Sequence, residues 1–236
     1  MSEISASLNN YSDLYGIEIS KEQLDKFELY KDLLLKWNKK FNLTAITDER
    51  EIAEKHFLDS IIIMKYHNIM DGSSIVDVGS GAGFPGIPLA IMNETIGLSV
   101  IEASEKRLAF LEVLARELGI SIKLNHIRAE DAGKTEDHRE NYDYAFSRAV
   151  APLGILSEYC MPLIKNGGQF LALKGKIEDE LESSYCAIET LGGKVSEIYN
   201  FNLPGGGERS IIMIEKTAET PSNDPRRASV IKRKPL

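Results

Sequence analysis

With 236 residues, 43% of them apolar and 27% charged, the chain suits one substantial α/β domain with a smaller appendage and excludes fibrous or disordered classes. No apolar run approaches the roughly 18 residues of a membrane span, and the polar start Met1-Ser-Glu-Ile-Ser-Ala-Ser lacks the pattern of a secretory signal, so a cytoplasmic protein is expected. A net charge of −8 weighs against a body-wide nucleic-acid surface, while Cys160, Cys186 and the scattered His56, His67, His126 and His138 show no zinc spacing, so no metal is expected. The two cysteines read as reduced, buried thiols; Cys160 falls in an apolar helical pattern with Leu156, Tyr159, Leu163 and Ile164.

In chain order, Ser20 followed by Gln23 forms a capping box, and Phe27, Tyr30, Leu34, Trp37 and Phe41 recur at helical spacing behind it. After the link Asn42-Leu-Thr-Ala-Ile, a second helix is predicted from Asp48 to about Tyr66, with Ile52, His56, Asp59 and Ile63 on one face. This helical region, 1–70, cannot close a core alone and is expected to pack on a following domain, 71–217. There the pattern changes to short β-branched runs alternating with helices, the signature of a parallel sheet. The predicted strands are Ile75–Val78, Leu98–Glu102, Ile122–Ile127, Tyr142–Ser147 and Gln169–Lys174. A helix capped by Ser104 and ended by Gly119 buries Leu108, Leu111, Ala115 and Leu118, and others are expected over Pro152–Ile164 and Ile177–Leu191, the last stopped by Gly192 and Gly193. Val195–Asn202 and Ser210–Lys216 are joined by Leu203-Pro-Gly-Gly-Gly-Glu-Arg209, too short for a helix, so the final strand must run antiparallel. A parallel sheet finished this way is the build of one methyltransferase class rather than of a dinucleotide-binding domain. The stretch 218–236 carries Arg226, Arg227, Lys232, Arg233 and Lys234 with no acid from Pro225 onward, which on charge alone reads as a solvated terminus.

The chemistry concentrates after the first strand. In Asp77-Val-Gly79-Ser-Gly81-Ala-Gly83, alternate glycines let the backbone turn sharply and approach a small molecule. Gly81-x-Gly83-x-x-Gly86 also satisfies the dinucleotide fingerprint, so a nicotinamide cofactor stands as an alternative. Asp77 favours the first reading, because a carboxylate there orders the loop or accepts from an amino-acid-like ammonium group and repels a pyrophosphate; Pro85 and Pro88 remove further N–H donors. Glu102, at the end of the second strand, is placed to accept from both ribose hydroxyls. Downstream, Arg128-Ala-Glu-Asp131 is either an exposed loop or an adenine contact, and Arg148 and Lys174 end adjacent strands at one sheet edge, suggesting an anionic substrate.

Several strings together, Asn42-Leu-Thr, His56-Phe-Leu-Asp-Ser60, Asp77-Val-Gly-Ser-Gly-Ala-Gly-Phe-Pro-Gly-Ile-Pro88, Arg128-Ala-Glu130, Ser147-Arg-Ala149, Leu173-Lys-Gly175 and Pro225-Arg-Arg-Ala, resemble the RsmG (GidB) family. The resemblance implies a class I S-adenosylmethionine-dependent methyltransferase, α/β and Rossmann-like, with a mostly parallel seven-stranded sheet ending in an antiparallel hairpin and an N-terminal helical extension. It implies transfer of a methyl group from S-adenosylmethionine to N7 of a guanine in 16S rRNA of the small ribosomal subunit, by a protein expected to be monomeric. Carried over by position, Gly79 and Phe84 line the cofactor site with Asp77, Gly81, Gly83 and Glu102, Ala129 and Glu130 meet the adenine, and Arg148 lies at the cofactor–substrate junction. Arg148 and Lys174 are the expected positioning groups on RNA phosphate or guanine O6, with no general base, and the basic tail is expected to bind RNA. Ser229 stands where members often have glycine. Two other functions compete, an NAD(P)-dependent oxidoreductase, for which no Tyr-x-x-x-Lys is present, and a non-catalytic RNA-binding assembly factor built on the same fold.

Overall fold

A computed structural model describes residues 2–236, apart from the side chains of 178 and 179. It opens on a helix not expected from the sequence, α1 (Glu3–Asp13), capped by the Ser2 hydroxyl and burying Ile4 and Leu8. α2 (Lys21–Phe41) carries the expected capping box, with Ser20 N–H on Gln23 Oε1 at 2.8 Å and Gln23 N–H on Ser20 Oγ at 3.2 Å. Phe27, Tyr30 and Leu34 are buried, whereas Phe41 is exposed at the C-terminal end of the stripe.

The single helix expected from Asp48 to Tyr66 is interrupted. It consists of α3 (Glu49–Ile52), a π-helical stretch (Ala53–Leu58), α4 (Asp59–Ile61) and α5 (Ile63–Tyr66). Asp48 caps the start, accepting from the N–H groups of Arg50 and Glu51, both at 3.0 Å. Asp59 N–H reaches back five residues to the Glu54 carbonyl, which widens the turn.

The remainder alternates as predicted: β1 (Ser74–Val78), α6 (Gly86–Met92), β2 (Gly97–Glu102), α7 (Glu105–Leu118), β3 (Ile122–His126), α8 (Ala129–Ala132), β4 (Tyr142–Arg148), α9 (Leu153–Cys160) with a 3-10 turn (Met161–Leu163), β5 (Ile164–Lys174), α10 (Glu178–Thr190), β6 (Gly193–Asn202), β7 (Glu208–Lys216) and α11 (Ala228–Arg233). Gly119 ends α7 in the left-handed region, at φ +68°. Ser104 sits at the N-cap but makes no side-chain cap bond; Glu102 Oε1 instead accepts from Ser104 N–H at 2.9 Å. Arg128 to Asp131, left open as loop or contact, enters the short helix α8.

The seven strands lie in the order β3-β2-β1-β4-β5-β7-β6, and β7 is antiparallel to both its neighbours. The chain winds outward from β1 through β2 to β3, then returns to β4 on the other side of β1. Ligands of such sheets gather at this reversal, beyond the C-terminal strand ends. Alternate residues feed two cores: Ile75, Leu98, Val100 and Phe146 face one layer, Val76, Val78, Ile101 and Ala145 the other. Phe27, Tyr30 and Phe57 from the first 70 residues share the first core with Phe84, Phe110 and Leu111, so the helical region completes that layer. Cys160 is buried as expected, but Cys186 is exposed on α10.

The basic stretch after β7 is folded rather than solvated. Arg139 donates to the carbonyls of Thr220 and Asp224, both at 2.7 Å, and Ile231 on α11 is fully buried. Arg226 pairs with Glu158 of α9, Nη2 to Oε2 at 2.7 Å and Nε to Oε1 at 2.8 Å, and Glu158 is only 1% exposed. Among the described residues no helix is long and apolar enough to cross a membrane.

Candidate active site

A cavity of about 810 Å³ lies at the C-terminal ends of β1, β2 and β4. The loop after β1 forms its floor. There Asp77, fully buried, accepts from Ser80 Oγ at 2.6 Å and from Gly86 N–H at 2.9 Å, while its Oδ1 has no partner among the described residues. Burial outweighs those two bonds and raises its pKa to about 6. Asp77 therefore ties the loop together from beneath and is not part of the cavity lining.

The glycines divide between two jobs. Gly79 and Gly81 line the cavity at φ +69° and +62°. Gly83, at φ +102°, faces the other way: a Cβ there would lie 2.5 Å from the Tyr30 hydroxyl. It lets α2 press against the loop, and Tyr30 in turn donates to the Ala82 carbonyl at 2.5 Å. On the facing strand end, Glu102 Oε2 accepts from Gly81 N–H at 3.0 Å, which couples the loop to β2. Glu102, Ala129 and the buried Glu130, the residues read from the sequence as ribose and adenine contacts, all line the cavity.

Phe84 is the hub of the inner wall. Tyr30 stacks with it at 5.3 Å between centroids, His56 at 4.6 Å, and the Arg148 guanidinium lies 4.9 Å from its centroid. His56, read from the sequence as a member of a helix face and of the string His56-Phe-Leu-Asp-Ser60 but given no site role, bonds Thr44 Oγ1 through Nε2 at 2.8 Å, and its Nδ1 has no partner among the described residues. Burial and then the nearby Arg148 charge lower its pKa to about 4, so the ring is neutral near pH 7.

Arg148 is 13% exposed, and burial lowers its pKa. Its Nη1 reaches Asp59 Oδ2 at 3.2 Å and the carbonyls of Lys55 and His56, both at 3.3 Å, in the π-helical stretch. Asp59 also accepts from Arg209 Nε at 2.9 Å. Lys174, expected as a positioning group on RNA phosphate or guanine O6, is engaged within the protein. It bonds the Ala151 carbonyl at 2.9 Å and Glu180 at 2.7 Å, fastening the turn after β4.

A second cavity, of about 350 Å³, adjoins the first and shares His56, Arg148 and Ala149 with it. Lys55, Asp59, Lys174, Gly175 and Arg209 complete its polar lining. Ala149 is held at φ +56°, a strained conformation for a non-glycine residue. Of the five tail cations, Arg226 is committed to Glu158, Lys232 lines the larger cavity, and Arg227, Arg233 and Lys234 are exposed. Tyr30, Thr44, Asp59 and Arg209 were not singled out as site residues by sequence reasoning; the strings around residues 42–44 and 56–60 were the available signal.

A model of the family described as rRNA small subunit methyltransferase G matches residues 23–212. Curated proteins named ribosomal RNA small subunit methyltransferase G are similar along nearly the whole chain. That of Pelotomaculum thermopropionicum is 45% identical with 100% of each chain covered, and those of Clostridium botulinum (43%) and Listeria monocytogenes (44%) cover 94% of each. Among solved structures, the [4+2]-cyclase SpnF superposes at TM-score 0.57 with 14% identity, over 84% of this chain and 96% of that one. A SAM dependent methyltransferase from Aquifex aeolicus superposes at 0.53 with 15% identity, over 73% and 96%. These distant likenesses fix the fold, and the close relatives fix the kinship: the chain belongs to the rRNA small subunit methyltransferase G family.

Proposed function

We propose that the protein transfers the methyl group of S-adenosylmethionine to N7 of a guanine in 16S rRNA of the small ribosomal subunit, acting as a monomer. The observation that carries the reading is the Gly81–Glu102 bond at the cavity floor in a chain of this family. It holds a buried carboxylate rigidly where ribose hydroxyls can donate to it: Oε1 accepts only from Ser104 N–H and keeps a lone pair, while Oε2 takes Gly81 N–H and, at 3.5 Å, Arg107 Nη1. Ala129 and Glu130, at the start of α8, supply the adenine contacts. The dinucleotide alternative loses support at the opposite side of the same loop. The N–H that opens α6 is spent on Asp77, so a carboxylate already occupies the position a pyrophosphate would need.

Bound S-adenosylmethionine supplies an electrophilic methyl on a sulfonium centre. Guanine N7 carries an in-plane lone pair and no proton near neutral pH, so the protein needs no base and contributes position. Phe84, held between α2 and the π-helical stretch, forms the rigid wall. His56, neutral at physiological pH, adds no positive charge beside a cationic donor, and Asp59 offsets that of Arg148. Both act by fixing the boundary between the two cavities. Reverse-transcription mapping of N7-methylguanine in 16S rRNA, from cells with and without the protein, tests the reading: a modification lost with the protein is expected, and an unchanged map overturns it.

A further inference from the structure

We propose that the 350 Å³ cavity is the seat of the target base and selects guanine through the buried carboxylate of Asp59. This rests on the methyl-transfer reading above. Three observations converge. The two cavities share His56, Arg148 and Ala149 in their linings, so a group held in the second lies next to whatever is held in the first. The second cavity lies at the ends of β4 and β5, where Arg148, Leu173, Lys174 and Gly175 come together, and its volume is at the small end of the roughly 300–1,000 Å³ range of small-molecule sites. Its walls combine the apolar Ile46 and Leu173 with polar groups, as a flat heteroaromatic ring with a hydrogen-bonding edge requires.

Asp59 gives the cavity its selectivity. It lines the second cavity and not the first, and it is buried. Arg148 takes a bond to Oδ2 and Arg209 a bond to Oδ1, which leaves a lone pair on each oxygen. Guanine presents two donors, N1–H and the N2 amino group, on its Watson–Crick edge, whereas adenine presents an acceptor at N1 that a carboxylate would repel. With that edge on Asp59, the adjoining Hoogsteen edge of the purine, which carries N7, is left free to face the junction of the two cavities. Arg209 and Lys55, cations lining the same cavity, are placed to meet the phosphate of the inserted nucleotide.

Gly175 provides a test that leaves the cofactor cavity untouched. Its backbone is outside the left-handed region, and an added Cβ would have the Glu208 carbonyl at 3.9 Å as its nearest neighbour, so Gly175→Leu fills the cavity without a clash at Cβ. Calorimetry is expected to give wild-type affinity of this variant for S-adenosylhomocysteine, while methyl transfer to small subunits falls at least about 100-fold, the scale of a misplaced reactant. On the wild-type protein saturated with S-adenosylhomocysteine, saturation-transfer NMR should show guanosine 5′-monophosphate binding in preference to adenosine 5′-monophosphate, and the signal should vanish in Gly175→Leu. Full methyl transfer by Gly175→Leu, or equal binding of the two nucleotides, overturns the assignment. Wild-type protein that binds the cofactor product yet methylates no RNA overturns the function proposed above, and the nucleotide arm still decides what the cavity holds.

Discussion

Asp77→Asn isolates the electrostatics of the loop beneath the cofactor cavity. The substitution keeps the shape and one oxygen able to accept from Ser80 and Gly86 but removes the charge. Asp77 is raised from 3.8 to about 6 in the folded protein, so the native state binds its proton more tightly than the unfolded chain does. The stability this contributes is present below about pH 4 and is lost as pH rises through about 6. At 1.36 kcal/mol per pKa unit the full change is about 3 kcal/mol, of which about 2 kcal/mol falls between pH 4.5 and 7.5. Urea unfolding of both proteins without cofactor, at several pH values in that interval, removes most other titrations by difference. The stability of Asp77→Asn relative to wild type should rise by about 2 kcal/mol from pH 4.5 to 7.5. A constant gap would show that the bonds from Ser80 and Gly86 cancel burial, and one that moves the other way that they outweigh it; either would overturn the burial argument.

His56 titrates in the opposite sense. Lowered to about 4, it contributes stability present above about pH 6.5 and lost as pH falls through 4, so His56→Gln should gain about 3 kcal/mol on wild type between pH 7 and pH 4 in the same assay. Arg148→Ala leaves Asp59 buried with Arg209 as its remaining partner; a loss smaller than the roughly 3–5 kcal/mol of a fully stranded buried charge is expected by thermal unfolding, and single-turnover methyl transfer should fall. An undiminished rate would remove Arg148 from the site. Arg226→Ala strands Glu158 and should cost about 3–5 kcal/mol, with faster amide exchange over residues 226–233. If Arg226 is instead an RNA contact, affinity for the small subunit would fall with stability unchanged.

The sheet was largely legible because its strands are short β-branched runs bounded by turn residues, and because the 203–209 connection leaves no room for a crossover. Glu102 could be read from its place at the tip of the second strand, and the Gly79–Gly81 bend from its spacing. Other features were hidden for identifiable reasons. A widened turn preserves apolar spacing, so Ile52, His56, Asp59 and Ile63 continue to look like one helix face across it. The tail looked solvated because charge counts cannot see an acid 68 positions away, yet Glu158 decides where Arg226 goes. Asp77 and Gly83 carry cofactor-like spacing, but one faces down into the loop and the other toward Tyr30, a direction that only the packing of α2 reveals. The stack on Phe84 joins residues 30, 56 and 148, which no local pattern connects.

The π-helical stretch ties chain length to chemistry. Each residue of a regular helix turns the chain by about 100°, so removing one residue from 53–58 would restore an ordinary ladder while rotating either His56 or Asp59 away from Arg148. Many side-chain exchanges in this stretch would leave that phase intact. Deletion of a single codon would not, and the protein should tolerate it less well than most substitutions at the same positions.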